Sequence, residues 1–246
     1  MTGVDAASPY EPLEPRRVAA RLVGGGLLLA LALALVGWAI LHLATPSTLT
    51  RWEDDVTQWF LGHRTPTLDT VSHVGSYLAE TITAITLLLV MVVVLRVWLG
   101  RWRESWTLFA AIVGELLVFL LVTAVVNRPR PDVAQLDVAP PTSSFPSGHT
   151  AAAVALYGCL AVIAWRQLRP TGFAVVVTVV LCLVPCVVGI SRLYRGMHHP
   201  TDVLFGVIGG GLWLVLVLTT LLPKVPGRGP VLAPDVADEQ SPIAAP

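Results

Sequence analysis

Six long apolar segments dominate this sequence of 246 residues and restrict what the chain can fold into. A helix that crosses the hydrocarbon core of a bilayer needs about 20 mostly apolar residues. Segments of that kind lie at 18–43, 81–97, 105–126, 149–165, 171–190 and 203–222. Charged residues make up only 13% of the chain, about half of the roughly 25% in a soluble domain. We therefore expect an all-α, polytopic membrane protein whose six transmembrane helices form a bundle.

The two ends of the chain differ in composition from this bundle. Residues 1–17 and 223–246 are polar and rich in proline, which is typical of disordered segments. The sequence thus predicts a membrane domain over 18–222, between a disordered arm and a disordered tail. Within that domain, Pro185 is expected to kink the fifth span. Glycines 209–211 are expected to let helices approach closely in the sixth span.

Lysine and arginine near the ends of the spans predict the orientation. With the N-terminus inside, ten of these residues fall on the cytoplasmic side and six on the outer side. Both termini are therefore expected in the cytoplasm, and all six histidines lie toward the outer face.

The outer loop at 44–80 contains a helical pattern. Trp52, Val56, Trp59 and Phe60 follow helical spacing behind acidic residues. This pattern predicts a helix lying in the membrane interface, with its aromatic side chains at headgroup depth. A re-entrant helix that packs against the bundle fits the pattern equally well.

Other features exclude some classes of function. The formal net charge is zero and no run of basic residues suggests a nucleic-acid partner. Cys159, Cys182 and Cys186 all fall within apolar segments, where a thiol usually serves as a small core residue. We therefore expect neither a disulfide nor a cysteine-based metal site.

Polar groups suited to binding phosphate interrupt the apolar segments on the predicted outer side. Arg130 and Arg192 supply permanently charged, planar forks of donors. Ser147, Gly148 and His149 follow a proline at the start of the fourth span, where their N–H groups would point at an anion. Gly148 would also let the anion approach the backbone closely.

A nucleophile can be placed beside this phosphate site. His198 and Asp202 are four residues apart, and a helix that starts near His199 puts Asp202 in its first turn. The carboxylate would then hold one imidazole nitrogen of His198 and leave the other free to attack phosphorus. His149, from a separate loop, would protonate the leaving oxygen. This division of roles requires no metal or cofactor.

These residues together resemble a known signature. The chain contains Arg130-Pro131, then Pro146-Ser147-Gly148-His149, then Ser191-Arg192 followed by His198 and Asp202. This order resembles the three-part motif of the type-2 phosphatidic-acid phosphatases, also called lipid phosphate phosphatases, and the likeness spans about 18–222. Three ordered blocks in the expected topology are far more specific than one short match.

The resemblance implies a role for each matched residue. His198 would form a phosphohistidine supported by Asp202, and His149 would be the general acid. Four residues would hold the phosphate oxygens, namely Arg130, Ser147, Gly148 and Arg192. The family is metal-independent and acts on phosphatidic acid, phosphatidylglycerophosphate and polyprenyl diphosphates.

One position departs from the family pattern. A lysine usually stands seven residues before the arginine of the first block, and here that position is Thr123. We expect Arg128 to supply the missing charge to the phosphate, with the Thr123 hydroxyl as the alternative.

The remaining polar residues receive structural interpretations. We expect His42, His63 and His73 to be interfacial anchors, and His199 to lie behind the site or on the surface. Arg195 is interpreted as a solvated loop charge. Glu115, near the middle of the third span, is expected far from the outer loops, protonated or bonded to a neighbouring helix.

The sequence as a whole indicates a bacterial, integral-membrane lipid phosphatase whose partners are the bilayer and a lipid phosphate. A polyprenyl diphosphate ranks first as substrate, with phosphatidic acid or phosphatidylglycerophosphate close behind. Two alternatives remain: a transporter or scaffold that retains the fold, and an inactive relative.

Overall fold

The computed structural model describes residues 14–43, 48–168 and 172–222, which form eight α-helices. They are α1 (Pro15–Leu43), α2 (Thr48–Gly62), α3 (Pro66–Tyr77), α4 (Thr81–Leu99), α5 (Arg103–Val125), α6 (Gly148–Gln167), α7 (Gly172–Tyr194) and α8 (Pro200–Leu221). Six of these, α1 and α4 to α8, are long and apolar enough to cross a membrane. The predicted all-α fold with six spanning helices is confirmed. The predicted tail and residues 1–13 of the predicted arm lie outside the described residues, whereas residues 15–17 belong to α1.

Helix α6 lies at the centre of the bundle and packs against α4, α5, α7 and α8. Of its spanning window, 56% is buried inside the protein, against 17% for α4. Its inner positions are mostly small, including Ala151, Ala153, Ala155 and Ala161. Small residues let neighbouring helix backbones approach closely, which is the main source of packing energy between helices in lipid. The start of α6 is therefore held by helices on several sides.

Two glycines of α8 set its distance from α6. A Cβ atom added at Gly206 would lie 2.7 Å from the carbonyl oxygen of Ser147, and one at Gly210 would lie 2.7 Å from that of Ala151. Any side chain at either position would push the two helices apart. The predicted close approach is thus confirmed at Gly210, and Gly206 extends it to the turn beside the start of α6.

The segment between α1 and α4 holds two helices, of which the sequence predicted one. In α2, Glu53 and Thr57 are buried, while Trp52 and Trp59 are about half exposed. The inner face of α2 is thus more polar than the aromatic pattern suggested. The unpredicted helix is α3, whose N-cap Thr65 accepts a hydrogen bond from the N–H of Leu68. It packs against α7.

Helix α7 continues past the predicted end of its span at residue 190. Ser191 and Arg192 therefore lie in its last turn rather than in a loop, which corrects the sequence-based interpretation. The extension is stabilised by α3, because the hydroxyl of Tyr194 donates to Asp69 Oδ1 at 2.7 Å. Pro185 lies inside this continuous helix.

At the opposite end of the bundle, arginines close the last turn of α8. Arg103 Nε donates to the carbonyl oxygen of Leu221 at 2.6 Å, and Arg166 Nη1 donates to that of Leu222 at 2.7 Å. The last carbonyls of a helix lack partners within it and carry partial negative charge. Arg103 and Arg166 supply hydrogen-bond donors to these carbonyls and place positive charge beside them.

Candidate active site

The start of α8 positions Asp202. His199 is the N-cap, Pro200 occupies the first turn, and Asp202 is the third helical residue, as predicted from the spacing. Asp202 Oδ2 accepts the backbone N–H of His199 at 2.7 Å and lies 3.2 Å from its Nδ1. Ser144 Oγ also donates to Oδ2, and Arg128 Nη1 donates to Oδ1 at 2.6 Å. Asp202 is fully buried, and both of its oxygens have partners.

His198 is oriented by a backbone carbonyl. Its Nδ1 lies 2.8 Å from the carbonyl oxygen of Ser144, whereas the nearest Asp202 oxygen is 3.9 Å away. Because a carbonyl oxygen only accepts, Nδ1 carries the proton and Nε2 keeps its lone pair. The expectation that Asp202 holds the ring directly is therefore wrong. Asp202 binds the hydroxyl of Ser144, and Ser144 binds the ring.

The environment of His198 keeps its ring neutral. Burial lowers the pKa of His198 from 6.5 to about 3, the Asp202 charge opposes this shift, and the charges of Arg192 and Arg130 add to it. A neutral imidazole with a free Nε2 is the form that can attack an electrophile.

A cavity of about 380 Å³ lies at this end of the bundle, and neither His198 nor Arg130 is among the residues that line it. His149 and Arg192 line it, as do His73, Ser76, Glu80 and Asp137. His149 is the second residue of α6, and Arg192 is in the last turn of α7. The structure therefore brings two of the predicted site residues to one cavity wall.

The two arginines expected to hold phosphate are only partly satisfied. Arg192 Nη1 donates to Ser76 Oγ at 2.6 Å and to Asp137 Oδ2 at 2.8 Å. Arg130 Nη1 donates to the carbonyl oxygen of Met197 at 2.7 Å. The Nε atoms of both arginines are buried without a hydrogen-bond partner. Burial also lowers the pKa of Arg130, against the raising effect of Asp202. Buried donors on charged groups are costly when unpaired, so these atoms favour an anion.

Ser147 and Gly148 both take part in packing at the start of α6. The N–H of Ser147 donates to the carbonyl oxygen of Asp202 at 2.9 Å, and its hydroxyl lies 2.9 Å from that of Thr150. Ser147 is fully buried, so it joins α6 to α8 rather than offering donors to phosphate. A Cβ atom at Gly148 would lie 2.8 Å from the ring of Phe119, so the glycine leaves room for a side chain of α5, and its contact with phosphate stays a prediction.

The expected replacement for the family lysine is also wrong. Arg128 Nη1 and Nη2 bind Asp202 and Glu53, and the side chain is 8% exposed. Its guanidinium therefore lies between two carboxylates, which compete with any phosphate. The hydroxyl of Thr123 donates to the backbone carbonyl of Leu120 at 3.2 Å.

Three other residues differ from their sequence-based interpretation. Arg195 is not a solvated charge, because it is 5% exposed and forms a two-pronged ion pair with Asp137. His73 lines the cavity rather than serving only as an anchor. Glu115 shares a small cavity with Pro146, so it is closer to the motif loops than its place in α5 suggested.

Several site residues could not be found from the motifs. Ser144 and Asp137 lie in the polar loop between α5 and α6, with no signal beyond their polarity. Glu53 is the first of three consecutive acidic residues in the sequence, with nothing to distinguish it, and Ser76 belongs to the helix that the sequence did not predict.

The fold and this site define a class: a multi-pass membrane protein with a pocket lined by His149 and Arg192 at one end of a helical bundle. A sequence profile described as the PAP2 superfamily matches residues 104–225. Phosphatidylglycerophosphatase B of Bacillus subtilis (strain 168) is 32% identical over 151 residues, covering 57% of this chain and 74% of that protein. The chain belongs to the PAP2 superfamily and is a membrane lipid phosphatase of its bacterial branch.

Solved structures agree with this fold. The transmembrane PAP2-type phosphatidylglycerolphosphate phosphatase from Bacillus subtilis matches with a TM-score of 0.67 and 24% identity, covering 80% of this chain and 94% of that one. LpxE of Aquifex aeolicus matches with a TM-score of 0.54 and 25% identity, covering 67% of this chain and 93% of that one. The family match and the curated relative, a phosphatase, favour an enzyme over a transporter or scaffold.

Proposed function

We propose that this phosphatase cleaves its lipid substrate through a phosphohistidine at His198. The observation that carries the proposal is the state of that ring, which is neutral and bonded through Nδ1 to Ser144. Nε2 attacks phosphorus as the bond from phosphorus to the lipid oxygen breaks. His149 enters this step as an imidazolium stabilised by the negative charge of the bound phosphate, and it gives that oxygen a proton. Water then attacks phosphorus, its proton passes to His149, and inorganic phosphate leaves His198.

Arg130 and Arg192 hold the phosphate during both steps. Their buried, unpartnered Nε atoms support this role. Donors that are already in place stabilise the charge that develops on the transferring group without reorganising first. The chain itself supplies the nucleophile, the acid and the cations in this route.

The cavity lining favours a phosphomonoester over a diphosphate as the lipid substrate, which reverses the substrate ranking made from the sequence. Glu80 lines the cavity with His149, and its Oε2 is buried without a partner. A second phosphate adjoining the first would be repelled by this carboxylate, whereas a glycerol hydroxyl could donate to it. The sequence relative and the solved structure from Bacillus subtilis both carry a name that refers to phosphatidylglycerophosphate, which agrees with a glycerophosphate lipid. Phosphatidylglycerophosphate thus ranks first, then phosphatidic acid and polyprenyl diphosphate.

The site is proposed to face the extracytoplasmic side, with both termini in the cytoplasm. The support is the distribution of lysine and arginine, ten against six across the spans. A fluorescent protein fused to the C-terminus should fold and fluoresce, while alkaline phosphatase at that place should stay inactive.

The central test is phosphate release by the purified protein in lipid nanodiscs, with phosphatidylglycerophosphate, phosphatidic acid and a polyprenyl diphosphate compared. His198→Gln should abolish release and the acid-labile phosphoenzyme trapped from a labelled substrate. His63→Gln, an exposed histidine stacked on Trp59, is the matched control and should retain both. Full activity in His198→Gln would overturn the mechanism.

A further inference from the structure

A buried chain of three charges extends from α2 to the catalytic carboxylate. Arg128 Nη2 donates to Glu53 Oε2 at 2.6 Å, and Nη1 donates to Asp202 Oδ1 at 2.6 Å and to Thr201 Oγ1 at 2.7 Å. Glu53 is 1% exposed and Asp202 is fully buried. The electrostatic effect of these charges on neighbouring groups is strong because little solvent screens them.

Glu53 is also bonded directly to the first turn of α8. Its Oε1 accepts the hydroxyl of Thr201 at 2.5 Å and the backbone N–H of Thr201 at 3.3 Å. Glu53 is thus connected to the helix end that carries Asp202 by both carboxylate oxygens, by Oε1 through Thr201 and by Oε2 through Arg128. Glu53 belongs to α2, which is not among the six spanning helices.

We propose that Glu53 and Arg128 are positioning residues for the phosphatase reaction, acting through Asp202. The proposal rests on the phosphohistidine route above. Asp202 lies 3.9 Å from Nδ1 of His198 and acts on the ring through its charge and through Ser144. The ring gains positive charge as it accepts the phosphoryl group, so a net negative charge at this distance lowers the barrier.

The net charge of this buried chain depends on Glu53. Asp202 and Glu53 are negative and Arg128 is positive, so the chain carries one net negative charge next to His198. Without Glu53, Arg128 would neutralise Asp202, and the negative charge would be lost. Without Arg128, two carboxylates would face each other in a buried place, and Asp202 would lose the donor that fixes its orientation.

The experiment compares Glu53→Gln, Arg128→Met and the double variant in nanodiscs. We expect kcat to fall about 10- to 100-fold in each single variant, the range typical of outer partners that orient a reactive group. KM should stay within about twofold, because Arg130 and Arg192 hold the phosphate. Asp54→Asn makes the same charge change at an exposed position of α2 and should leave kcat unchanged.

The double variant separates the effect of the lost negative charge from the effect of lost structural support. It restores one net negative charge, so its kcat should exceed that of either single variant. If only structural support were lost, the two defects would add and the double variant would be the slowest. That result, or a Glu53→Gln kcat equal to that of Asp54→Asn, would overturn the proposal.

Two further readouts keep the proposal testable. Thermal unfolding in detergent identifies a variant that fails to fold. If Glu53→Gln is such a variant, the kcat of the double variant is compared with that of Arg128→Met, and this comparison decides. His198→Gln is assayed in parallel. If it retained activity, the phosphohistidine route would fail, whereas its inactivity beside a fully active Glu53→Gln would reject only the present inference.

Discussion

Nδ1 of His198 and Oδ2 of Asp202 are 3.9 Å apart, although the residues are only four positions apart in sequence. This gap is bridged by Ser144, which accepts from the histidine with its carbonyl oxygen and donates its hydroxyl to the aspartate. The carboxylate is therefore connected to the ring through a loop residue that belongs to neither motif.

Removing the Ser144 hydroxyl tests this link. Ser144→Ala keeps the carbonyl bond to His198 but takes one donor from the buried Asp202 carboxylate. A buried charge left short of a hydrogen bond costs about 1–3 kcal/mol, so we expect kcat to fall about tenfold or more. Thr142→Ala, two positions earlier in the same loop, should leave kcat unchanged. Equal rates in the two variants would show that the hydroxyl does not contribute.

Acidification should destabilise the protein partly through His198. Its pKa is about 3 when folded and 6.5 in its ordinary state, so the unfolded chain binds more protons between these values. Stability therefore falls as pH drops from about 6.5 towards 3. Thermal unfolding in detergent from pH 7.5 to 4.5 should show a smaller decrease in Tm for His198→Gln than for the wild type. His63→Gln should follow the wild type.

The contact between α6 and α8 gives a matched pair of glycine substitutions. Gly206→Ala places a Cβ atom 2.7 Å from the Ser147 carbonyl oxygen, whereas a Cβ atom at Gly211 meets open space. Overpacking typically costs about 1–3 kcal/mol, so Gly206→Ala should lower both Tm and kcat. Gly211→Ala should change neither. An unchanged Gly206→Ala would mean that the two helices are not held at this distance.

Glu80 is expected to influence the selectivity between diphosphate and phosphomonoester lipids. Glu80→Gln removes the charge that repels an adjoining phosphate, so kcat/KM for polyprenyl diphosphate should rise relative to that for phosphatidylglycerophosphate. A shift of about tenfold corresponds to about 1.4 kcal/mol. Asp54→Asn, exposed on α2, is the control and should leave the ratio unchanged. An unchanged ratio in Glu80→Gln would remove the structural reason for ranking the monoester first.

The spans and the start of α8 could be predicted because both are encoded locally. Apolar length marks each spanning helix, and the interval from His198 to Asp202 fixes the first turn of α8. The end of α7 was missed because tertiary contact of Tyr194 with α3 extends the helix. Local pattern contains no information about such a contact.

The partners of the site residues could not be predicted for the same physical reason. Glu53 and Thr201 are hydrogen-bonded across 148 positions of sequence, and Arg128 reaches Asp202 across 74. The sequence identified Arg128 as a cation near the site, but packing determines whether a cation meets a substrate or a carboxylate. Arg195 was misjudged in the same way, because Asp137 has no motif to reveal it.

The two arginines at the far end of α8 bear on how the enzyme tolerates its membrane. Arg103 and Arg166 anchor the last carbonyls of α8, while Glu53 and Arg128 anchor its first turn. A helix fixed at both ends cannot slide along its axis when the bilayer thins or thickens. His198, next to the first turn of α8, therefore keeps its position relative to the other helices, and we expect mismatch with the surrounding lipid to be accommodated by tilt of the whole bundle or by a local change in bilayer thickness.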